Sequence, residues 1–170
     1  MYLIQSTTYK SFQISLIFSL AAVLFSCNKN SNVPEAYVPI EVSIALQKTM
    51  CYGTCPSYNF EVLNDGRATL RVGRFAEDVL GRTLDQGNYE GTVSLKEISK
   101  IIKYAQSSGY HLLDDRYDNP MIMDIPATIS TISGKTVYNR YEGPDLNDLY
   151  SKIEELMRKV EWKAMPDTER

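Results

Sequence analysis

The 170 residues contain one histidine, one tryptophan and three cysteines. With His111 alone, a metal centre built from several imidazoles is excluded, and a Ser-His or Cys-His nucleophile has little to draw on. Eighteen Lys plus Arg stand against 21 Asp plus Glu, a net charge of −3. There is no basic surplus to neutralise phosphates, so nucleic acid is not an expected partner. After residue 26 neither G-x-S-x-G nor Ser-x-x-Lys occurs, which removes the common serine-hydrolase and penicillin-binding signatures. No apolar run reaches the roughly 20 residues that a permanent membrane-spanning helix needs. What is present, 44% apolar and 23% charged residues, suits one globular domain with a proper core.

The apolar residues are unevenly spread. Residues 1–26 carry a single charged side chain, Lys10, and three of the five Phe in the chain. Phe12 to Phe25 forms an uninterrupted, largely apolar stretch behind a weakly positive start, the pattern of a cleaved secretory signal. Its end, Leu24-Phe25-Ser26-Cys27, resembles the bacterial lipobox, although Phe25 is bulkier than the usual occupant. The resemblance implies that the Cys27 thiol receives diacylglycerol, that cleavage falls before it, and that the new amine is acylated. Several acyl chains anchor stably where one is marginal, so membrane lipid is an expected partner through Cys27. Residues 27–39, with two prolines and no helical period, read as the lipidated Cys followed by a flexible tether. The expected location is the bacterial cell envelope, at an outer membrane and facing the periplasm.

Removing Cys27 from the count leaves Cys51 and Cys55, an even remainder that in an oxidising compartment predicts one disulfide. Gly53, inside that ring, offers the positive φ that a tight turn can require. C-x-x-x-C followed by Pro56 also resembles the copper motif of thioredoxin-like chaperones, which implies thiol-disulfide or copper chemistry as the alternative. In those proteins the second Cys opens a helix. Here Tyr58, Phe60 and Val62 alternate with Asn59, Glu61 and Leu63 up to Asp65-Gly66, which predicts a β-hairpin. The helix N-terminus that lowers a reactive thiol's pKa is therefore not expected. His111 reads as a partly buried structural residue.

Alternation predicts a first strand over 40–47, the hairpin strands over 57–63 and 67–73, and a short strand over 89–93. Residues 74–87 read as a loop or irregular strand. Ser94-Leu95-Lys96-Glu97 is a capping-box signature opening a helix that stops near Gly109. Residues 125–132 and 136–141 flank Ser133-Gly134-Lys135 as a second hairpin. A last helix follows Pro144, its stripe running from Leu146 to Val160. The expected fold class is α+β: an antiparallel sheet of about five to six strands with two helices packed on one face. The expected organisation is a signal peptide over 1–26, the tether over 27–39, one domain over 40–165 and a disordered tail over 166–170.

Cys51-x-Gly53-Thr54-Cys55-Pro56-x-Tyr58, Asp65-Gly66, Tyr117 with Asp124, and the helix from Pro144 to Trp162 together resemble an uncharacterised family of bacterial lipoproteins and secreted proteins. Tyr52 stands where that family is expected to carry Phe. The family has no assigned reaction or ligand, so the resemblance bears on fold and address alone. Gly53, Pro56, Tyr58, Tyr117 and Asp124 are accordingly candidate binding or motif residues. Asp114, Asp115, Asp118 and Asp124 lack the spacing and turn glycine of a calcium loop and read as a solvated acidic stretch. Nine tyrosines between residues 52 and 150 suit half-buried strand positions better than a dedicated groove. No catalytic residue, resident metal or cofactor is expected. The leading expectation is a non-enzymatic binding or structural module whose partner is an envelope protein or cell-wall component.

Overall fold

The computed structural model describes residues 39–166. The expected signal peptide, lipidated Cys27 and tether, and the tail from 167, lie outside the described residues. Eight strands form one sheet: β1 (Val42–Lys48), β2 (Tyr58–Leu63), β3 (Arg67–Val72), β4 (Gly87–Thr92), β5 (Arg116–Tyr117), β6 (Thr128–Ile132), β7 (Lys135–Asn139) and β8 (Lys163–Ala164). The helices among the described residues are α1 (Glu77–Leu80), α2 (Leu95–Ser107) and α3 (Asn147–Lys159), with a 3-10 turn at Tyr110–Leu112. Spatial order across the sheet is β5-β7-β6-β1-β2-β3-β4-β8.

This corrects the expected fold class. The sheet has eight strands, not five to six, and it is mixed, because β5 runs parallel to β7 while the other pairs are antiparallel. A third helix, α1, lies where a loop was expected. The three unforeseen pieces are two to four residues long. Segments that short complete too little of any period to show in a sequence.

Alternation explains the longer strands. In β2, Tyr58, Phe60 and Val62 are buried, and in β3 Ala68, Leu70 and Val72 are buried, while Arg67, Thr69 and Arg71 face outward. Asp65 begins the turn: its carboxylate accepts from the Arg67 amide at 3.0 Å, and Gly66 takes φ 90°. That amide hydrogen bond and the Arg67 side chain hold the Asp65 carboxyl below the usual carboxylate range. Both long helices lie on the buried face. Leu149, Ile153, Leu156 and Met157 of α3 and Ile98, Ile101 and Ala105 of α2 join Ile44, Leu46, Phe60 and Leu70 in one core. Ser94 caps α2, accepting from the Glu97 amide, but Glu97 turns to Lys100 instead of closing the capping box. Trp162 meets Phe60 edge-on at 5.9 Å and donates to the Met157 carbonyl at 3.1 Å, fixing the run into β8. Among the described residues no helix is long and apolar enough to cross a membrane.

Candidate functional site

β1 gives the sheet a direction that matters for the site. The chain enters at Pro39, whose carbonyl accepts from the Asn64 side-chain amide at 2.7 Å beside the β2–β3 turn. Seven residues of β1 later, roughly 20 Å on, it leaves at Lys48. The starts of β2, β4 and β6 and the end of β7 lie at this second end, because Lys48 pairs with Tyr58 and Thr128, Val72 with Gly87, and Thr128 with Asn139.

The cysteine turn sits here. Cys51 and Cys55 are bonded, with Cα atoms 5.7 Å apart. Both cysteines are half-buried, while Tyr52, Gly53 and Thr54 are exposed. Each side of the ring is tied to a strand independently of the sulfurs. Before it, the Thr49 amide donates to the Ala127 carbonyl at 3.0 Å, and the Ala127 amide donates to the Thr49 hydroxyl at 2.8 Å. After it, the Ser57 amide donates to the Arg74 carbonyl at 2.9 Å, and the Arg74 amide donates to Ser57 Oγ at 2.9 Å. No helix follows Cys55; the chain passes through Pro56 into β2.

Two grooves flank the turn. One, of about 510 Å³, is lined by Thr49, Met50, Cys51, Tyr52, Arg74, Asp124, Ile125, Tyr138 and Arg140. The other, of about 710 Å³, lies over the ends of β1 to β4 and includes Gln47, Met50, Asn59, Arg71, Arg74 and Asn88. Thr49, Met50 and Arg74 belong to both.

On the face away from the helices, strand register lines up a row of side chains. Arg116 pairs with Tyr138, Tyr138 with Ile129, Ile129 with Gln47, Gln47 with Asn59, Asn59 with Arg71 and Arg71 with Asn88. Paired residues point to the same side of a sheet, about 4.8 Å apart, so the row spans on the order of 29 Å. Its cations differ. Arg116 lies over the Tyr138 ring at 4.0 Å and pairs with Asp118 at 2.7 Å, and Asp118 also takes Arg140. Burial works to raise the Asp118 carboxyl, but hydrogen bonds from both arginines outweigh it and hold it below the ordinary range. Lys48 is neutralised by Glu154 at 2.6 Å. Arg71 and Arg74 take part in none of the ion pairs among the described residues. Arg74 instead rests over Phe75, 5.0 Å from the ring centre.

The candidate residues from the sequence divide accordingly. Cys51 and Asp124 share the smaller groove, and Gly53 and Pro56 lie in the adjoining turn. Gly53 does not adopt positive φ, and an added Cβ would meet only Cys51 Sγ, at 3.8 Å. The turn therefore does not need glycine there, contrary to the expectation. Asp124 does lie in the left-handed region, at φ 64°, and its carboxylate makes no hydrogen bond among the described residues. Tyr58 is 3% exposed and donates to Glu154 Oε1 at 2.8 Å, joining β2 to α3 beneath the groove. Burial, followed by the Glu154 charge, drives its pKa far above the ordinary tyrosine value. Tyr117 packs against the core and accepts from the Asp114 amide at 2.9 Å. Both tyrosines are struts. His111 is exposed, with its ring edge-on to Tyr110 at 5.9 Å, where a partly buried residue was expected. Among the described residues no three His, Cys, Asp or Glu side chains are placed to hold a metal.

Sequence reasoning missed Arg71, Arg74, Tyr138 and Met50. Arg71 was accessible as an outward position of a predicted strand, but the register that sets it beside Asn59 and Asn88 is a property of the folded sheet.

Fold and site define a class: a one-sheet α+β domain, covered by helices on one face, with a disulfide-bounded, arginine-bearing groove at one end. A family model described as a domain of unknown function (DUF6438) matches residues 42–157, and the chain belongs to that family. The match agrees with the expectation of an uncharacterised domain. The comparison with curated proteins found no match, and neither did that with solved structures.

Proposed function

We propose that this chain is a lipid-anchored cell-envelope module that binds a partner at the disulfide end of its sheet and performs no chemistry on it. The observation that carries the reading is positional. The bonded turn, both grooves, and Arg71 and Arg74, which make no ion pair among the described residues, gather at the end of β1 opposite Pro39, where the chain enters. A tether running from an acylated Cys27 to Pro39 would leave that end free to meet a partner. The outer membrane, on its periplasmic side, is the proposed location. The disulfide acts as a clasp in this reading: it fixes Met50 and Tyr52 as a rim between the grooves.

Two measurements test it. Growth with a labelled fatty acid is expected to label the wild-type chain and to leave Cys27→Ser unlabelled; labelling of the variant sinks the anchor. A thiol-exchange titration is expected to find the Cys51–Cys55 bond resistant to a thioredoxin-type reductant. Ready exchange, or Cu(I) uptake by the reduced pair, would favour thiol or copper chemistry over the clasp.

A further inference from the structure

The disulfide end differs from the rest of the surface in kind. Eight large apolar side chains are exposed among the described residues, and four of them, Met50, Tyr52, Met121 and Met123, belong to the two loops at this end. The loop carrying Met121 and Met123 is brought alongside by the Arg140 guanidinium, which donates to the Asn119 carbonyl at 2.9 Å, and its next residues, Asp124 and Ile125, line the smaller groove. Scattered exposed apolar residues need no explanation; a group concentrated at one end with arginines does. Methionine, tyrosine and arginine are the residue types enriched where proteins meet, while lysine and acidic residues are depleted there. Methionine is also suited to such a surface because its unbranched thioether adapts to irregular partners.

Charge specifies the partner further. Asp124 is the single acidic residue lining either groove, and the larger groove has none. Lys48 is already neutralised by Glu154, and Arg140 is already engaged by Asp118, which it shares with Arg116. Arg71 and Arg74 remain, both in the larger groove. The sheet edges offer a partner little: β5 and β8, two residues each, close the two sides, so strand addition is disfavoured.

Resting on the binding-module reading above, we infer that the partner is a protein segment carrying acidic side chains flanked by apolar ones. Its carboxylates meet Arg71 and Arg74 in the larger groove, and its apolar side chains meet Met50 and Tyr52. A guanidinium is suited to that role because its planar fork receives a carboxylate bidentately.

The test is selection of random peptides of about a dozen residues, displayed on phage, against the immobilised full chain in detergent. The same library is screened on Arg71→Glu/Arg74→Glu and on Met50→Asp. Both arginines are exposed, so the first variant is expected to keep the wild-type melting temperature; Arg71→Gln serves as a milder second variant. The expected result is peptides rich in Asp or Glu next to Leu, Phe or Met. Their affinity should fall on the order of tenfold or more on Arg71→Glu/Arg74→Glu and weaken with added salt. Acidic peptides that bind the charge-reversed chain equally well overturn the inference. Enriched peptides without acidic residues overturn it too but leave the binding module standing, provided Met50→Asp abolishes them. No enrichment over Met50→Asp removes both readings. Polygalacturonate is the competing probe: if it binds more tightly than the peptides with the same arginine dependence, the ligand is an acidic polysaccharide and the protein partner is refuted.

Discussion

Replacing Cys51 and Cys55 together by serine measures whether the bond clasps a turn or holds the fold. The chain-entropy relation for a ring closed by residues four apart gives about 2 kcal/mol of stabilisation. Two structural facts make this an upper value. The ring lies outside the core, with its three inner residues exposed, so its loss opens no apolar cavity. Its flanks are also held without the sulfurs, at Thr49 by two hydrogen bonds to Ala127 and at Ser57 by the hydrogen bonds to Arg74. The unfolded chain gains freedom while the folded turn keeps its ends. Urea unfolding of wild type and double variant should therefore give unfolding free energies that differ by about 1–2 kcal/mol at unchanged m-value. A loss above about 4 kcal/mol, or a variant that does not fold, would show the disulfide to be part of the fold's core support. A loss near zero, together with rapid exchange of the wild-type bond, would point toward redox use.

Tyr58→Phe removes the hydroxyl that donates to Glu154 but leaves Lys48 on the same carboxylate, so a loss of about 1–2 kcal/mol is expected, read by denaturant unfolding, with peptide binding unchanged. Binding that falls without a change in stability would move Tyr58 from strut to site. Gly53→Ala should alter stability by less than about 0.5 kcal/mol. Gly73→Ala should cost about 1–3 kcal/mol, because its Cβ would lie 2.7 Å from the Ser57 carbonyl oxygen; equal effects at the two positions would contradict the packing of the turn. Alkaline stability should depend on Tyr110, whose hydroxyl donates to the Ser130 carbonyl at 2.8 Å and whose pKa burial raises from 10.0 to about 12. The folded state resists ionisation that the unfolded chain accepts. Stability from this group is thus full below pH 10 and is lost progressively up to about pH 12, on the order of 2–3 kcal/mol in all. Tyr110→Phe should be less stable at neutral pH but show a shallower alkaline decline; identical slopes in urea titrations from pH 8 to 12 would refute the assignment.

How far the sequence could be read follows from the range over which each signal acts. The β2–β3 hairpin was legible because its cause is local: Asp65-Gly66 makes the turn, and the alternation of Ala68, Leu70 and Val72 sets the face. The start of α2 was legible for the same reason, in Ser94 and its amide acceptor role. The motif residues were harder to weigh. Tyr58 stands in phase with Phe60 and Val62, so its own alternation already assigned it to the core, against its place in a motif that suggested a site. Periodicity was the better guide there, since it reports which side chains leave water.

The groove itself was not legible, and the reason is the strand order. β1 lies between β2, its near neighbour in the chain, and β6, which begins eighty residues after Lys48. Only that long-range pairing carries Ile129 and Tyr138 onto the row with Gln47, and Ile125 to the side of Met50. Arg71 illustrates the consequence. In the sequence it is one outward arginine among three near the hairpin; in the sheet Arg67 is neutralised by Asp65 at the turn, while the residues directly opposite Arg71 are amides, Asn59 and Asn88, and it takes part in no ion pair among the described residues. Two outward arginines of one strand thus have different electrostatic roles: Arg67 finds its partner two residues away in the turn, whereas what Arg71 meets depends on the register of β2 and β4. A charge reversal at Arg67 should accordingly leave peptide binding within about twofold of wild type, its exposed pair with Asp65 being worth little. The same reversal at Arg71 should weaken binding on the order of tenfold, and equal responses at the two positions would mean that overall charge, not the groove, governs the interaction.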